Sequence, residues 1–219
     1  MTQTEFAAHL SRRAERAHVA VPQEILPCLE AYVSILSRWN GRMNLTALQL
    51  DPPTDETVDR LIIEPLAAAR HVPNEGCTWF DLGSGGGSPA IPLKIARPSL
   101  ELVMIESKAR KAAFLREAVR ALGLEDSRVE NARFEEIALE GENVGAADLV
   151  TVRAVRPDDA LFASSAELLR ENGRLMMFRP SSEPIAAIGF KLTDTVQLLD
   201  SARAFLAIFT RVFHVEQTS

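Results

Sequence analysis

The stretch WFDLGSGGGSPAIP at residues 79–92 limits the folds open to this chain more than any other feature. It crowds four glycines into five positions (Gly83, Gly85, Gly86 and Gly87) directly after an apolar run that ends in an acid, Asp81. A chain uses glycine where the backbone must take a positive φ or approach a ligand closely. An apolar strand, a glycine loop and a helix in succession therefore point to a loop shaped around a nucleotide-like cofactor.

The sequence around that loop has two periodicities. Before it, apolar residues recur at three- and four-residue steps (Leu26, Leu29, Tyr32, Val33, Leu36, Trp39), and the first 70 residues read as helical. Residues 50–59 are polar and broken by proline, and 57–69 read as a further helix leading into the glycine region. From Cys77 onward, apolar runs at 78–82, 101–105, 148–152 and 174–178 alternate with helical segments at 89–96, 108–122 and 157–169. That alternation is the signature of a doubly wound α/β fold around a mostly parallel sheet. Two late runs, 191–199 and 203–212, are expected to close the sheet as an antiparallel edge. The expected organisation is a helical extension over residues 1–70 followed by an α/β domain over 71–219. A chain of 219 residues, 47% hydrophobic and 25% charged, is long enough for one full core and a small accessory unit.

The loop itself discriminates among cofactors. A dinucleotide fingerprint would read G-x-G-x-x-G, whereas here the third position after Gly85 is Ser88 and the pattern is G-x-G-x-G. A carboxylate such as Asp81 beside a phosphate site would repel its ligand, while beside an ammonium or sulfonium it attracts. The next run, LELVMIES, ends in Glu106, where an acid can accept hydrogen bonds from both hydroxyls of a ribose. Pro89 suits a first helical turn, where its missing N–H costs nothing. These features describe an S-adenosylmethionine site, with the donor's amino-acid end near Asp81 and the glycines and its ribose on Glu106. A glycine-rich turn with structural acids is the competing description.

Five motifs, in order, resemble the bacterial small-subunit ribosomal RNA guanine-N7 methyltransferase G family, also called glucose-inhibited division protein B. They are WN-x-x-x-NLTA at 39–47, DLGSGGGSPAIPL at 81–93, ESKARKAAFLREAVRALGL at 106–124, RFEE at 133–136 and VRAV at 152–155. The resemblance implies a class I S-adenosylmethionine-dependent methyltransferase with a seven-stranded sheet behind an N-terminal helical extension. It implies S-adenosylmethionine as donor and a guanine of 16S ribosomal RNA or the small ribosomal subunit as target. Carried over by position, Gly83 and Ser88 line the donor's methionine end and Phe134 and Glu135 take its adenine, which joins them to Asp81, Ser84, Gly85, Gly87 and Glu106 as the expected cofactor-binding residues. Arg153 stands at the catalytic mouth, touching both donor and target. The chain departs from the family at three places. Many members carry His-x-x-Asp-Ser-Leu where this chain reads LIIEPL at 61–66, lysine-glycine where it has Arg179-Pro180, and arginine-histidine where it has Arg203-Ala204.

Charge patterning fits an RNA substrate. Net charge is −6, which argues against a generic nucleic-acid coat but leaves room for a local basic patch. Basic residues gather on the segment after Glu106, and Arg38 and Arg42 flank Trp39 and Asn40; the residues expected to contact RNA are Arg38, Arg42, Asn44, Lys108, Arg156 and Arg179. Arg153 and Arg156 fall at the carboxyl end of a strand, the edge where open α/β sheets bind ligands, although pairing with Asp158 or Asp159 would give them a structural role. Guanine N7 carries a lone pair and no proton, so no general base is required and none stands near the cradle.

Other motifs are discounted. Asp51-Pro52-Pro53-Thr54 precedes the cofactor loop, whereas the D-P-P-Y of amino-group methyltransferases follows the fourth strand. Pro27-Cys28 lies in the amphipathic N-terminal region, and Cys28 and Cys77 read as buried thiols. His9, His18, His71 and His214 share no metal-ligand spacing, so no metal is expected. Met104, Met176 and Met177 read as core. No apolar stretch approaches the roughly 20 residues of a membrane span, and the first ten residues lack the order of a secretion signal, so a cytoplasmic monomer is the expectation. Rival readings are a small-molecule or differently targeted RNA methyltransferase, a nicotinamide oxidoreductase, and a non-catalytic RNA-binding assembly protein that retains the cofactor site.

Overall fold

The computed structural model describes residues 3–200 and 203–212. Its centre is a seven-stranded sheet in the order β3-β2-β1-β4-β5-β7-β6. The strands are β1 (Thr78–Leu82), β2 (Glu101–Ile105), β3 (Ser127–Glu130), β4 (Ala147–Arg153), β5 (Leu169–Arg179), β6 (Phe190–Gln197) and β7 (Phe205–Arg211). β1 pairs in parallel with β2 on one side and β4 on the other, with Asp81 opposite Thr151 and Leu82 opposite Val152. The chain winds outward from β1 to β3 and then returns to β4. This reversal leaves a crevice at the carboxyl ends of β1 and β4, where open α/β sheets bind ligands.

Four expected strands form where expected, and β1 and β2 keep their expected bounds. β3 was not anticipated. Its sequence SRVE is short, charged and only half-buried, so it carries no apolar run; partnership with β2 makes it a strand. The edge also differs in detail from expectation. β7 is antiparallel to both neighbours and slots between β5 and β6, so the outermost strand β6 runs with the rest of the sheet. Pro89 is the N-cap of α5 (Ala90–Ala96), one position before the first turn, and the Ser88-Pro89 bond is cis.

Helices cover both faces. Strand alternation sends Trp79 to one side and Phe80 to the other. Trp79, Leu102, Met104 and Met176 join a buried cluster with Phe6 and Leu10 of α1 (Gln3–Arg16) and Leu29, Tyr32 and Leu36 of α2 (Leu26–Asn40). Residues on both sides of position 70 thus share one core. On the opposite face Phe80, Val103, Val150 and Met177 pack against Ile137 of α7 (Phe134–Ile137) and Leu161 and Phe162 of α8 (Asp159–Leu168). Trp39, at the end of α2, meets Phe114 of α6 (Ala109–Leu122) edge to face at 6.1 Å. Cys77 is buried as expected, whereas Cys28 is only half-buried.

Residues 57–69 were expected as one helix, and the observed segment, 55–68, is not one. It consists of α3 (Asp55–Val58), a π-helical turn (Asp59–Ile63) and α4 (Glu64–Ala68). Thr54 caps α3 by accepting from the Thr57 N–H at 3.2 Å. The segment is tied to α1 through Arg13, which donates to Asp59 at 2.8 Å, and through His9, 2.7 Å from Asp55. It passes over the crevice between β1 and β4.

Candidate active site

The cradle begins with Asp81, which β1 carries into the interior at 1% exposure. The Trp79 indole donates to the Thr151 hydroxyl at 2.7 Å, and that hydroxyl donates to Asp81 Oδ1. Burial pushes the Asp81 carboxyl up to about 6, against the lowering effect of its hydrogen bonds and of nearby Arg153. Beyond Asp81 the chain turns back through residues at positive φ, with Gly83 at 72°, Gly85 at 52° and Gly87 at 84°. The Gly85 N–H donates to Glu106 Oε2 at 3.0 Å and the Lys108 N–H to Oε1 at 2.8 Å, so the end of β2 braces the loop after β1. Each carboxylate oxygen of Glu106 keeps a further lone pair.

Two hollows meet at this loop, and Gly83 and Ala154 line both. The larger, about 460 Å³, is walled by Ser84, Gly85, Ser88, Glu106 and Arg153 on one side and by Leu45, Thr46 and Ala47 on the other. The second, about 380 Å³, is walled by Phe134, Glu135 and Arg156. Together they have the size of a site for a nucleoside-containing ligand. A Cβ on Gly83 would come within 2.7 Å of Val155, so a side chain there would crowd the junction of the hollows. Asp81 and Gly87 stand behind this lining. The face of Gly87 that a Cβ would occupy lies 2.5 Å from Ile91 and 3.4 Å from Tyr32, which makes Gly87 a packing position of the loop.

Arg153, at the end of β4, has its side chain 11% exposed and in contact with Glu64 rather than Asp158 or Asp159. Its Nη2 donates to Glu64 Oε2 at 2.6 Å, its Nη1 donates to the Arg60 carbonyl and to Ser88 Oγ, and its guanidinium lies 4.5 Å from the Phe178 ring centroid. Asp158 instead caps α8 through the Leu161 N–H. Burial raises the Glu64 carboxyl and lowers the Arg153 guanidinium, and each partner's charge works against that shift in the other.

The expected RNA contacts are distributed around the larger hollow's mouth and beyond it. Arg42, Asn44 and Lys108 are exposed, as is Arg156 by the smaller hollow. Arg38 is exposed and paired with Glu117 at 2.6 Å, and Arg179 donates to the Glu183 carbonyl at 2.5 Å. Asn40 accepts from the N–H groups of Leu45 and Thr46 at 2.8 and 3.0 Å, which shapes the wall that carries Asn44.

Sequence reasoning missed Tyr32, Arg60, Glu64 and Thr151. Tyr32 donates to the Gly86 carbonyl at 2.7 Å and so fixes the cradle from the N-terminal helices. A tyrosine in an apolar helical stripe carries no sign of that role. Glu64 had two available signals, an acid inside an otherwise apolar run, LIIEPL, and its place at the aspartate of the His-x-x-Asp-Ser-Leu stretch that many family members carry. Among the described residues no group of three or more His, Cys, Asp or Glu side chains converges as a metal site, and no helix is long and apolar enough to cross a membrane. His214 lies outside the described residues.

The fold is shared with solved structures of low sequence identity. A single-residue mutant of MtNAS, solved in complex with S-adenosylmethionine, superimposes with a TM-score of 0.60 at 14% identity, covering 97% of this chain and 93% of that one. A SAM-dependent methyltransferase from Aquifex aeolicus gives 0.54 at 12% identity over 71% of this chain and 93% of its own. Sequence relatives are much nearer. Ribosomal RNA small subunit methyltransferase G of Stenotrophomonas maltophilia is 37% identical over 163 residues, 74% of this chain and 73% of that protein. The protein of the same name from Xanthomonas oryzae is 35% identical over 188 residues, 81% of this chain and 83% of its own. The family model for GidB, rRNA small subunit methyltransferase G, matches residues 25–193, which span the cradle, the strap across it and the buried arginine, and the chain belongs to that family.

Proposed function

We infer that this protein is an S-adenosylmethionine-dependent enzyme that methylates N7 of a guanine in 16S ribosomal RNA. The single observation that carries the reading is the paired hollow, in which Gly83 and Ala154 serve both halves and Glu106 stands beside the junction. A donor built from an amino acid, a ribose and an adenine matches that sequence of environments. The cradle backbone, with the Asp81 carboxylate behind it, suits the ammonium end, Glu106 the ribose hydroxyls, and Phe134 with Glu135 the adenine. A Cβ at Gly83 would press on Val155, which lines the second hollow, so glycine there keeps the junction of the halves undistorted.

When bound, the sulfonium donor supplies the electrophilic methyl group. The residues of this chain align and enclose the reaction. Guanine N7 attacks with its own lone pair, so the site needs orientation and exclusion of water more than a proton acceptor. Arg153 is placed to direct the base or its phosphate from the acceptor end. The segment 45–47 forms the wall across from the cradle, and Arg42, Asn44, Lys108 and Arg156 offer exposed polar and basic groups to flanking RNA. Residues 1–70 act in this reading as an extension that closes the cleft. One chain supplies both hollows, in keeping with action as a monomer, and a ribosomal RNA substrate assigns it to the cytoplasm.

Nucleoside mass spectrometry of 16S ribosomal RNA from cells with and without the gene tests the reading. The expected result is loss of one 7-methylguanosine on deletion and its restoration by purified protein with S-adenosylmethionine. Loss of 5-methylcytidine or an N6-methyladenosine instead, or no change, overturns it.

A further inference from the structure

We propose that Glu64 is a positioning residue that acts through Arg153, fixing the guanidinium at the acceptor end of the cleft and offsetting its charge there. The proposal rests on the methyl-transfer reading above. It starts from the backbone of the segment over the crevice. In the π-helical turn the Glu64 N–H reaches back to the Asp59 carbonyl, and the next residue, Pro65, has no N–H to give to the carbonyls of Arg60 or Leu61. Those carbonyls face outward from the helix instead. Arg60 accepts from Arg153 Nη1, and Ser88 Oγ sits 3.4 Å from the Arg60 carbonyl and 3.1 Å from that of Leu61. A bulge of this kind inside a helix re-aims a few backbone groups, and here it aims them at the cofactor loop and the end of β4 at once.

Glu64 completes the arrangement. It is 6% exposed, and its Oε2 holds Arg153 Nη2 at 2.6 Å while Phe178 supports the guanidinium face at 4.5 Å. Three different elements therefore restrain one planar group, and its orientation is fixed before any substrate arrives. The charge matters as much as the placement. In the reaction the N7 lone pair forms the new carbon–nitrogen bond while the carbon–sulfur electron pair returns to sulfur, so positive charge moves from sulfur onto the guanine. A guanidinium without its carboxylate partner would oppose that movement at close range in a poorly solvated cleft. The Glu64 carboxylate cancels the opposition and leaves the hydrogen-bonding edge of Arg153 in place. Glu64 itself is committed to the arginine, so its effect on the reaction passes through that residue.

The test is a double-mutant cycle on the full chain with Glu64→Gln, Arg153→Gln and the double variant, read in single turnovers on small ribosomal subunits. Each single variant is expected to slow methyl transfer by about ten- to a hundredfold, a larger factor than any accompanying loss of donor or RNA affinity. The double variant should be no slower than the slower single, because both remove the same unit. Multiplied rate losses in the double variant, or losses that reside wholly in RNA affinity, would overturn the proposal. Proton exchange of the Arg153 guanidinium, followed by nitrogen-15 resonance in the protein alone, supplies a reading that needs no turnover. Slow exchange in the native chain that becomes fast in Glu64→Gln supports the clamp, and exchange unchanged by the substitution sinks it even if the enzyme methylates as expected. A native protein that shows the clamp but never methylates RNA would instead remove the functional reading.

Discussion

On the cradle side of the cleft, Ser84 donates to the Asp81 carbonyl three positions back and Gly85 to Glu106, 21 positions on. On the facing side, Arg153 bonds to Glu64 and Arg60, 89 and 93 positions back. The cradle is one strand–loop–helix unit braced by the next strand, and its shape follows from glycine placement. The facing wall exists only when the strap over the crevice and the end of β4 have both found their places. Local construction gives the first wall a conformation in which Gly83 and Gly87 leave no room for a Cβ. Long-range construction makes the second a set of polar contacts gathered on one guanidinium from distant parts of the chain.

The largest expected effect tests the rigidity of the cradle. Gly87→Ala combines a positive φ with contacts to Ile91 and Tyr32, and should cost about 3 kcal/mol of stability, the sum of a left-handed-region penalty and overpacking. Urea unfolding monitored by circular dichroism measures it. A loss below about 1 kcal/mol would mean that the loop yields as readily as the facing wall.

A smaller effect is expected in the pH dependence of donor binding. The folded-state pKa of Asp81 is raised to about 6 from an ordinary 3.8, so the folded protein holds this proton more tightly than the unfolded chain does. The protonated acid therefore contributes stability that is full below pH 3.8 and lost as the pH rises through about 6. In the proposed function the Asp81 carboxylate attracts the donor's ammonium, so donor affinity is expected to move the other way. It should rise about tenfold per unit up to pH 6 and then level off, as titration calorimetry at constant ionic strength can follow. Asp81→Asn should flatten the profile. A flat profile in the native protein would detach Asp81 from the donor and leave it a packing residue of β1.

The smallest effect belongs to the outer rim. The Arg38–Glu117 pair is solvent-exposed, and removing it through Arg38→Ala should cost about 0.5 kcal/mol or less in stability. If Arg38 also meets a phosphate, the slope of RNA affinity against salt should fall by about 0.7–0.9. An unchanged slope would confine the RNA surface to the residues nearer the cleft.

How much of this was legible beforehand follows the same division. β1, β2 and the cradle were readable because strand, glycines and acids lie in one continuous stretch, and Asp81 and Glu106 close two successive apolar runs. β3 was not, since its four residues owe their conformation to β2. The π-helical turn was hidden because residues 57–69 keep a helical period through it. The sequence left Arg153 open between a ligand role and pairing with Asp158 or Asp159, and no local pattern names Glu64 as its partner.

Sequence alone determined the alternation of apolar runs and helices, the glycine loop with its two acids, and the motifs that place the chain in its family. Each of these depends on side chains near one another along the chain or on the chain's own dihedral preferences. Only the tertiary structure decided which acid meets Arg153, which carbonyls the segment before β1 turns toward the cleft, and where Tyr32 anchors the loop. Those contacts depend on the strand order that sets β4 beside β1 and on the packing of the N-terminal helices across the sheet. Both follow from burial of the whole core, which no short stretch of sequence carries.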